Sequence, residues 1–352
     1  MSTLLSFSSV MTYIGYILVA ILVLLLMVTI HEFGHYVAGK LLGFKIDEFS
    51  VGFGKALFQR TNKKTGEVFS LRVFPLGGYC AFAGETDDSN GADSFSAQKP
   101  WKRLIVFFAG AFFNFLSAIL FSFILLVSCG YEHMQITGFA DYSLNQDKFQ
   151  VGDVIYAVDD KKIDFVHDQT FFNLVAQYEE GDTFNVTVKR DGEMMVIEDV
   201  QLVNIGSAEE PELKVGINLQ TYKYSFSEAQ AMCIPFTLRW CWKIILILGM
   251  LITGQLGLSG VGGPVTTVTT IATFSQINPA NLLLLLPVIA CNLAVFNLVP
   301  FPALDGAHMV FTTIEWIRGK PVNRKVENAI NNIGLIVLLG FVVLVDILHF
   351  IV

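Results

Sequence analysis

The sequence predicts a membrane α-helical protein: four transmembrane helices, a membrane-associated β-hairpin on the cytoplasmic side, and one small extracytoplasmic α/β domain. Three observations predict it. Hydrophobic residues make up 53% of the chain and charged residues 15%, with a mean hydropathy of +0.57, too apolar for an ordinary soluble domain. Four segments, about 13–38, 104–129, 281–299 and 333–352, each supply about 20 mostly apolar residues, enough for a roughly 30 Å hydrocarbon core. Between the second and third, residues 135–220 revert to short alternating strands punctuated by turns.

The first segment has no charged residue from Tyr13 to Ile30 and runs into His31-Glu32-Phe33-Gly34-His35. It reads as a retained span and not a cleaved leader, because no Lys or Arg precedes it and it exceeds a leader's apolar core. Two histidines four apart share one helix face and can share a metal ion. A glutamate between them is placed to take a proton from an attacking water, the logic of H-E-x-x-H metalloproteases. Here the motif continues a bilayer-length segment, where polar side chains are costly and usually functional.

The region 51–84 follows. Val51-Gly-Phe-Gly54, a turn at Asn62 to Gly66, the run Val68 to Phe74 and a second turn at Pro75 to Gly78 predict a hairpin-rich element. Such an element can offer an edge to an extended peptide. After the second span, residues 135–220 read as a soluble module with strands near Val154–Val158, Thr183–Lys189 and Met194–Ile197 and a helical stretch from Asp168 to Tyr178. The segment 225–253 is apolar enough to span, yet Glu228, Arg239 and Lys243 fall within about 60° of one another on a helix. It is therefore expected to be an amphipathic helix on the membrane surface. The glycine-rich Gly254 to Pro264 reads as a loop, and residues 254–352 form a second membrane core complementing the first, 1–134.

Lys and Arg set the orientation. Ten lie between Gly39 and Arg103 and four between Arg318 and Lys325, with none before Tyr13 or after Asp346. Both loops are expected in the cytoplasm, with both termini and the 135–220 module outside. Gly130 to Tyr224 carries seven basic and eighteen acidic residues, a solvated acidic face. The five scattered cysteines form no C-x-x-C pair and suggest neither disulfide framework nor zinc ribbon. No basic block or aromatic RNA-binding motif argues for nucleic acid.

Two histidines leave a zinc site incomplete, since a catalytic site takes three protein ligands. Asp305, in Asn297-Leu-Val-Pro-Phe-Pro-Ala-Leu-Asp305-Gly306, is the best candidate. Pro300 and Pro302 break the third span there, and counted from the outer ends His31 and Val299 both lie 18 residues in, about 27 Å. His308 is the alternative ligand, otherwise structural, and Asp346 reads as interfacial.

The pairing of HEFGH with NLVPFPALDG resembles the site-2 protease family, nearest the bacterial regulator of sigma-E protease group, over nearly the whole chain. The resemblance implies a zinc-dependent intramembrane endopeptidase holding one ion. His31, His35 and Asp305 match the zinc ligands, Glu32 the catalytic base, and Asn297 a residue that helps hold substrate. The hairpin residues Arg72, Val73, Phe74, Pro75, Leu76, Gly77, Gly78 and Tyr79 match the element that pairs with substrate backbone, and the outer module matches a PDZ-like domain. Ala109-Gly-Ala-Phe-Phe-Asn-Phe115 lacks the proline of the family's second-span motif. The implied partners are the lipid bilayer and membrane proteins with a transmembrane helix already trimmed by another protease, such as anti-sigma factors or signal-peptide remnants, in a bacterial cytoplasmic membrane. Two other classes use the same residues: a catalytically silent scaffold binding peptides through the module, and a metal transporter or sensor. Both leave Glu32 without a task.

Overall fold

The computed structural model describes residues 7–85, 94–207, 211–257 and 262–351. The chain divides into two compact units, Met1–Phe121 with Ile244–Val352, and Ser122–Lys243.

In the first unit, α1 (Phe7–Leu42) is rich in Leu, Ile, Val and Ala and contains no proline. It stops at Gly43, whose φ of 77° an L side chain resists. The Gly43 N–H donates to Lys40 O at 3.2 Å and the Phe44 N–H to Gly39 O at 2.9 Å, a Schellman ending. β1 (Ile46–Thr61) and β2 (Val68–Phe82) then form a two-stranded sheet. Its register is doubled: Glu48 to Val51 pair with Ala81 to Gly78 on one edge and with Val68 to Leu71 on the other. β2 therefore doubles back between Phe74 and Gly78, where the sequence places its second turn, and the run 78–82 becomes an outer edge. The first expected turn is closed by Asn62 N–H to Glu67 O, 2.8 Å.

α2 (Pro100–Ser128) begins on a proline, tolerated where the N–H has no helical partner. The C-terminal part holds α5 (Pro264–Ile277), α6 (Asn281–Phe296), α7 (Asp305–Arg318) and α8 (Arg324–Ile351). Two expectations are corrected here, and one unassigned stretch is filled in. The span expected at 281–299 is the 16-residue α6, ending at Phe296; at 1.5 Å per residue it covers about 24 Å, short of the hydrocarbon core. Residues 264–277, given no helix or strand from the sequence, are helical, with Pro264 at the first position. Asp305, expected in a loop, is the first residue of α7.

Asp346 is also not merely interfacial. It is 9% exposed and accepts from Val265 N–H at 3.2 Å, Thr266 N–H at 3.0 Å and Thr266 Oγ1 at 2.8 Å. It thereby satisfies orphan amides of the first turn of α5. At the other end of α8, Asn331 Oδ1 accepts from Ala303 N–H at 3.3 Å. Gly334 lies against Pro302, leaving no room for a Cβ, which would approach to 2.2 Å.

The second unit carries a six-stranded sheet. Its strands are β3 (Met134–Phe139), β4 (Val154–Val158), β5 (Lys161–Lys162), β6 (Thr183–Arg190), β7 (Glu193–Gln201) and β10 (Ile217–Thr221). The order is β10-β3-β4-β6-β7 with β5 beside β4. β8 (Val203–Asn204) and β9 (Leu213–Lys214) make a small separate pair. The expected helical stretch shrinks to a 3-10 turn at Phe165–His167 and the five-residue α3 (Phe171–Val175). Ile136, Ile155, Val158, Phe171, Leu174, Val186 and Val188 form the core. His133 is buried with Nδ1 3.2 Å from Ile155 O, and burial holds its pKa below the ordinary imidazole value.

α4 (Phe226–Ile252) starts in this unit. Its charged stripe is paired. Arg239 donates to Glu132 at 2.8 and 2.5 Å and to Asp164 at 2.6 Å, Lys243 to Asp168 at 2.8 Å and to Phe165 O at 2.7 Å, and Glu228 accepts from Lys189 at 2.9 Å. Among the described residues, the helices long and apolar enough to cross a membrane are Met11–Leu42, Pro100–Ser128, Phe226–Ile252 and Arg324–His349. The count matches the expected four, with α4 in place of α6.

Candidate metal centre and active site

His31 and His35 lie one turn apart on α1, their rings edge to face at 87° and 4.7 Å between centroids. Their Nε2 atoms are 3.2 Å apart. Asp305 Oδ2 sits 3.0 Å from the first and 3.3 Å from the second. Among the described residues this is the one cluster of His, Cys, Asp and Glu able to hold a metal ion. Ligands bonded to tetrahedral zinc at 2.0–2.1 Å lie about 3.3 Å from one another, so the three atoms already have the spacing such an ion needs.

Two further observations fit zinc. Asp305 Oδ2 is buried and, despite those short distances, satisfies no hydrogen bond among the described residues, so a bound cation answers what the protein leaves open. Gly110 of α2 faces the cluster; a Cβ there would fall 2.5 Å from His35 Nε2 and 2.6 Å from His31 Cε1. Absence of a side chain keeps the space between the imidazoles open.

Each residue of the cluster is positioned by local chain geometry. His35 Nδ1 lies 2.7 Å from Val106 O, so Nδ1–H donates there and the Nε2 lone pair points at the cluster. α1 and α2 approach closely because Gly34 rests on Ala109 O, which a Cβ would meet at 2.3 Å. Asp305 is turned inward by the chain between α6 and α7. Ala303 has φ 79°, and the Gly306 N–H donates to Asn297 O at 2.8 Å. A Cβ on Gly306 would strike Val299 O at 2.3 Å, so the turn requires glycine.

Glu32, Tyr79, Cys80, Ala81, Phe82 and Asn297 help line a cavity of about 520 Å³ that also contains the three cluster residues. Gly78 lies beside Glu32; a Cβ on it would be 3.6 Å from Glu32 Cγ and 2.7 Å from Ser50 O. Asn297 Nδ2 reaches within 3.5 Å of His31 Nδ1. Of the eight hairpin residues, Gly78 and Tyr79 come to this site, the only ones to do so among those whose side chains are described. Arg72 turns into its own sheet, donating to Glu48 at 2.7 Å and Gly54 O at 2.6 Å. Val73, Phe74 and Pro75 are exposed, and Gly77 packs on Phe53. The side chain of Leu76 lies outside the described residues. His308 stacks on Phe107 at 5.2 Å and faces Glu327 at 3.4 Å; it lines the same cavity but is not one of the three clustered residues.

Sequence reasoning missed Cys80, Ala81 and Phe82 as wall residues, and Val106, Gly110 and Asn114 as neighbours of the histidines. Asn114 was visible as the one amide inside an apolar segment; Asn114 Nδ2 is 3.2 Å from His31 Nδ1.

The model of the peptidase family M50 matches residues 19–341. A suspected zinc metalloprotease of Clostridium perfringens is 30% identical, covering 94% of this chain and 97% of that protein. Another from Agrobacterium fabrum is 30% identical over 97% of both, and one from Fusobacterium nucleatum 29% identical over 94% and 97%. With a match of that extent and a histidine–aspartate cluster spaced for zinc, the chain belongs to peptidase family M50, the site-2 proteases, and is a membrane zinc metalloprotease.

Proposed function

We propose that the protein is an intramembrane endopeptidase that cuts peptide bonds within transmembrane segments of other membrane proteins, with His31, His35 and Asp305 holding one zinc ion. The observation that carries this reading is the meeting of those three residues, 3.0–3.3 Å apart, in one cavity with Glu32 and a strand edge. Zinc supplies Lewis acidity, lowering the pKa of water and polarising a carbonyl. Glu32 takes the proton from the attacking water and returns it to the leaving amine. A substrate helix must first give up its internal hydrogen bonds. The edge run 78–82 offers replacements by strand addition, and Asn297 holds the unwound strand.

The protein is placed in a bacterial cytoplasmic membrane with termini and the 135–220 module outside and the active site toward the cytoplasm. Asp346 is 22 residues into α8, about 33 Å from its basic inner end, and it holds the start of α5. The third crossing is then shared by α5 and α6, entering near Gly263 and leaving at Asn297. α4 lies along the outer surface, its charges taken up by the module. That module acts as a PDZ-like filter for substrates already trimmed by another protease, such as anti-sigma factors or signal-peptide remnants.

The test is Glu32→Gln in the purified full chain. Proton transfer contributes roughly 10²–10⁴-fold, so cleavage of a model transmembrane substrate should fall at least about 100-fold while zinc stays bound. Parent-rate cleavage by a zinc-loaded variant would sink the mechanism.

A further inference from the structure

Asn114 lies in the middle of α2 and is fully buried in an apolar helix. Its Nδ2 position is 3.2 Å from His31 Nδ1. Its Oδ1 position has no hydrogen-bond partner among the described residues. Leaving a buried amide carbonyl unpaired costs about 1–3 kcal/mol, and Leu or Ala would fill this position without that cost.

The chemistry of His31 determines which amide atom makes the contact. If Nε2 directs its lone pair at the cluster, the neutral ring carries its proton on Nδ1. Nδ1–H then needs an acceptor, and an NH₂ group facing it would set donor against donor. The two ends of an amide are told apart only by their partners. Turned by 180°, Asn114 places Oδ1 against Nδ1–H. The second amide near this nitrogen, on Asn297, stands farther off at 3.5 Å, and it lines the cavity, where substrate needs it. His35 has a matching arrangement, with Nδ1 2.7 Å from Val106 O.

We infer that Asn114 is a positioning residue of the zinc site: its side-chain carbonyl accepts the Nδ1–H of His31, fixing the tautomer and ring angle that present Nε2 to the ion. Both histidines are thus oriented from α2, one by a backbone carbonyl and one by an amide. This rests on the ligand set proposed above. Its energetic consequence belongs to zinc affinity first and to turnover second, because outer partners of a ligating histidine set its basicity and orientation.

The experiment measures zinc affinity of the full-length protein in detergent by competition with a chromophoric chelator. N114L removes the acceptor at similar volume, N114A removes it at smaller volume, and N114D keeps it. Zinc binding should weaken about 10–100-fold in N114L and N114A and stay within about threefold of the parent in N114D, with all variants monodisperse. Parent affinity in N114L or N114A would overturn the role. So would equal weakening in N114D, or misfolding of N114L and N114A beside a folded N114D, since either assigns Asn114 to packing. H31A separates the two readings: zinc retained at parent affinity there defeats the ligand set itself.

Discussion

Gly110 shows how much a single hydrogen atom can decide. Its Cα faces both imidazoles, and an added methyl would lie 2.5 Å from His35 Nε2, within the space where ligand lone pairs converge. G110A should therefore lower zinc affinity by at least about tenfold, as loss of ligand orientation does elsewhere, while the melting temperature changes little, because alanine is a better helix former than glycine by about 1 kcal/mol. Chelator competition and thermal unfolding on one preparation check both halves. The same residue marks a limit of sequence reading. His31, Glu32, His35 and Asp305 were legible because metal chemistry admits few residue types at few spacings. Gly110 was not, and Asn114 stood out only as a lone amide, because their roles depend on which face of α2 meets α1, and an almost uniformly apolar helix gives little signal of that face.

Among elements, α4 carries the charged stripe expected of it. The partners of Glu228, Arg239 and Lys243 are carboxylates, a backbone carbonyl and a lysine of its own unit. Glu132 has only 3% of its side chain exposed and depends on Arg239. R239A leaves that carboxylate buried without its cation. A fully buried pair broken this way costs 3–5 kcal/mol; Arg239 keeps 32% of its surface exposed, so roughly 2 kcal/mol is expected. Thermal unfolding should show the loss, and E132Q in the R239A background should recover part of it. The strands of the module were legible from alternation and Asp-Gly turns. α5 was not, since a threonine-rich stretch has weak helical propensity and its first-turn amides are satisfied by Asp346, some 80 residues away.

For the whole molecule, pH acts on the module through His133. Burial depresses its folded pKa below 6.5, so the folded state disfavours the charged ring. The stability tied to this group is fully present above pH 6.5 and is lost as pH falls toward the lower folded value. Melting temperature should fall between pH 7.5 and 5.5 in the parent, and H133Q should flatten that slope. The number of bilayer-length helices was legible from composition. Three of them, α1, α2 and α8, lie where the sequence put them; the fourth is α4, because the apolar segment expected at 281–299 yields only the 16-residue α6.

α8 contributes no side chain to the metal cluster, yet it acts as a splint for the segment that does. Asp346 fixes the start of α5, and Asn331 and Gly334 seat Ala303 and Pro302, just before Asp305. The aspartate is thus held in register by a ruler some 20 Å long, measured along a helix that never touches zinc. A chain cut before Asn331 should retain His31, Glu32, His35 and Asp305 and still lose zinc, whereas D346A should shift the balance more gently, weakening zinc binding a few-fold. Inductively coupled plasma measurement of zinc per protein on both variants would show whether the last helix sets the metal occupancy of a site built from the first.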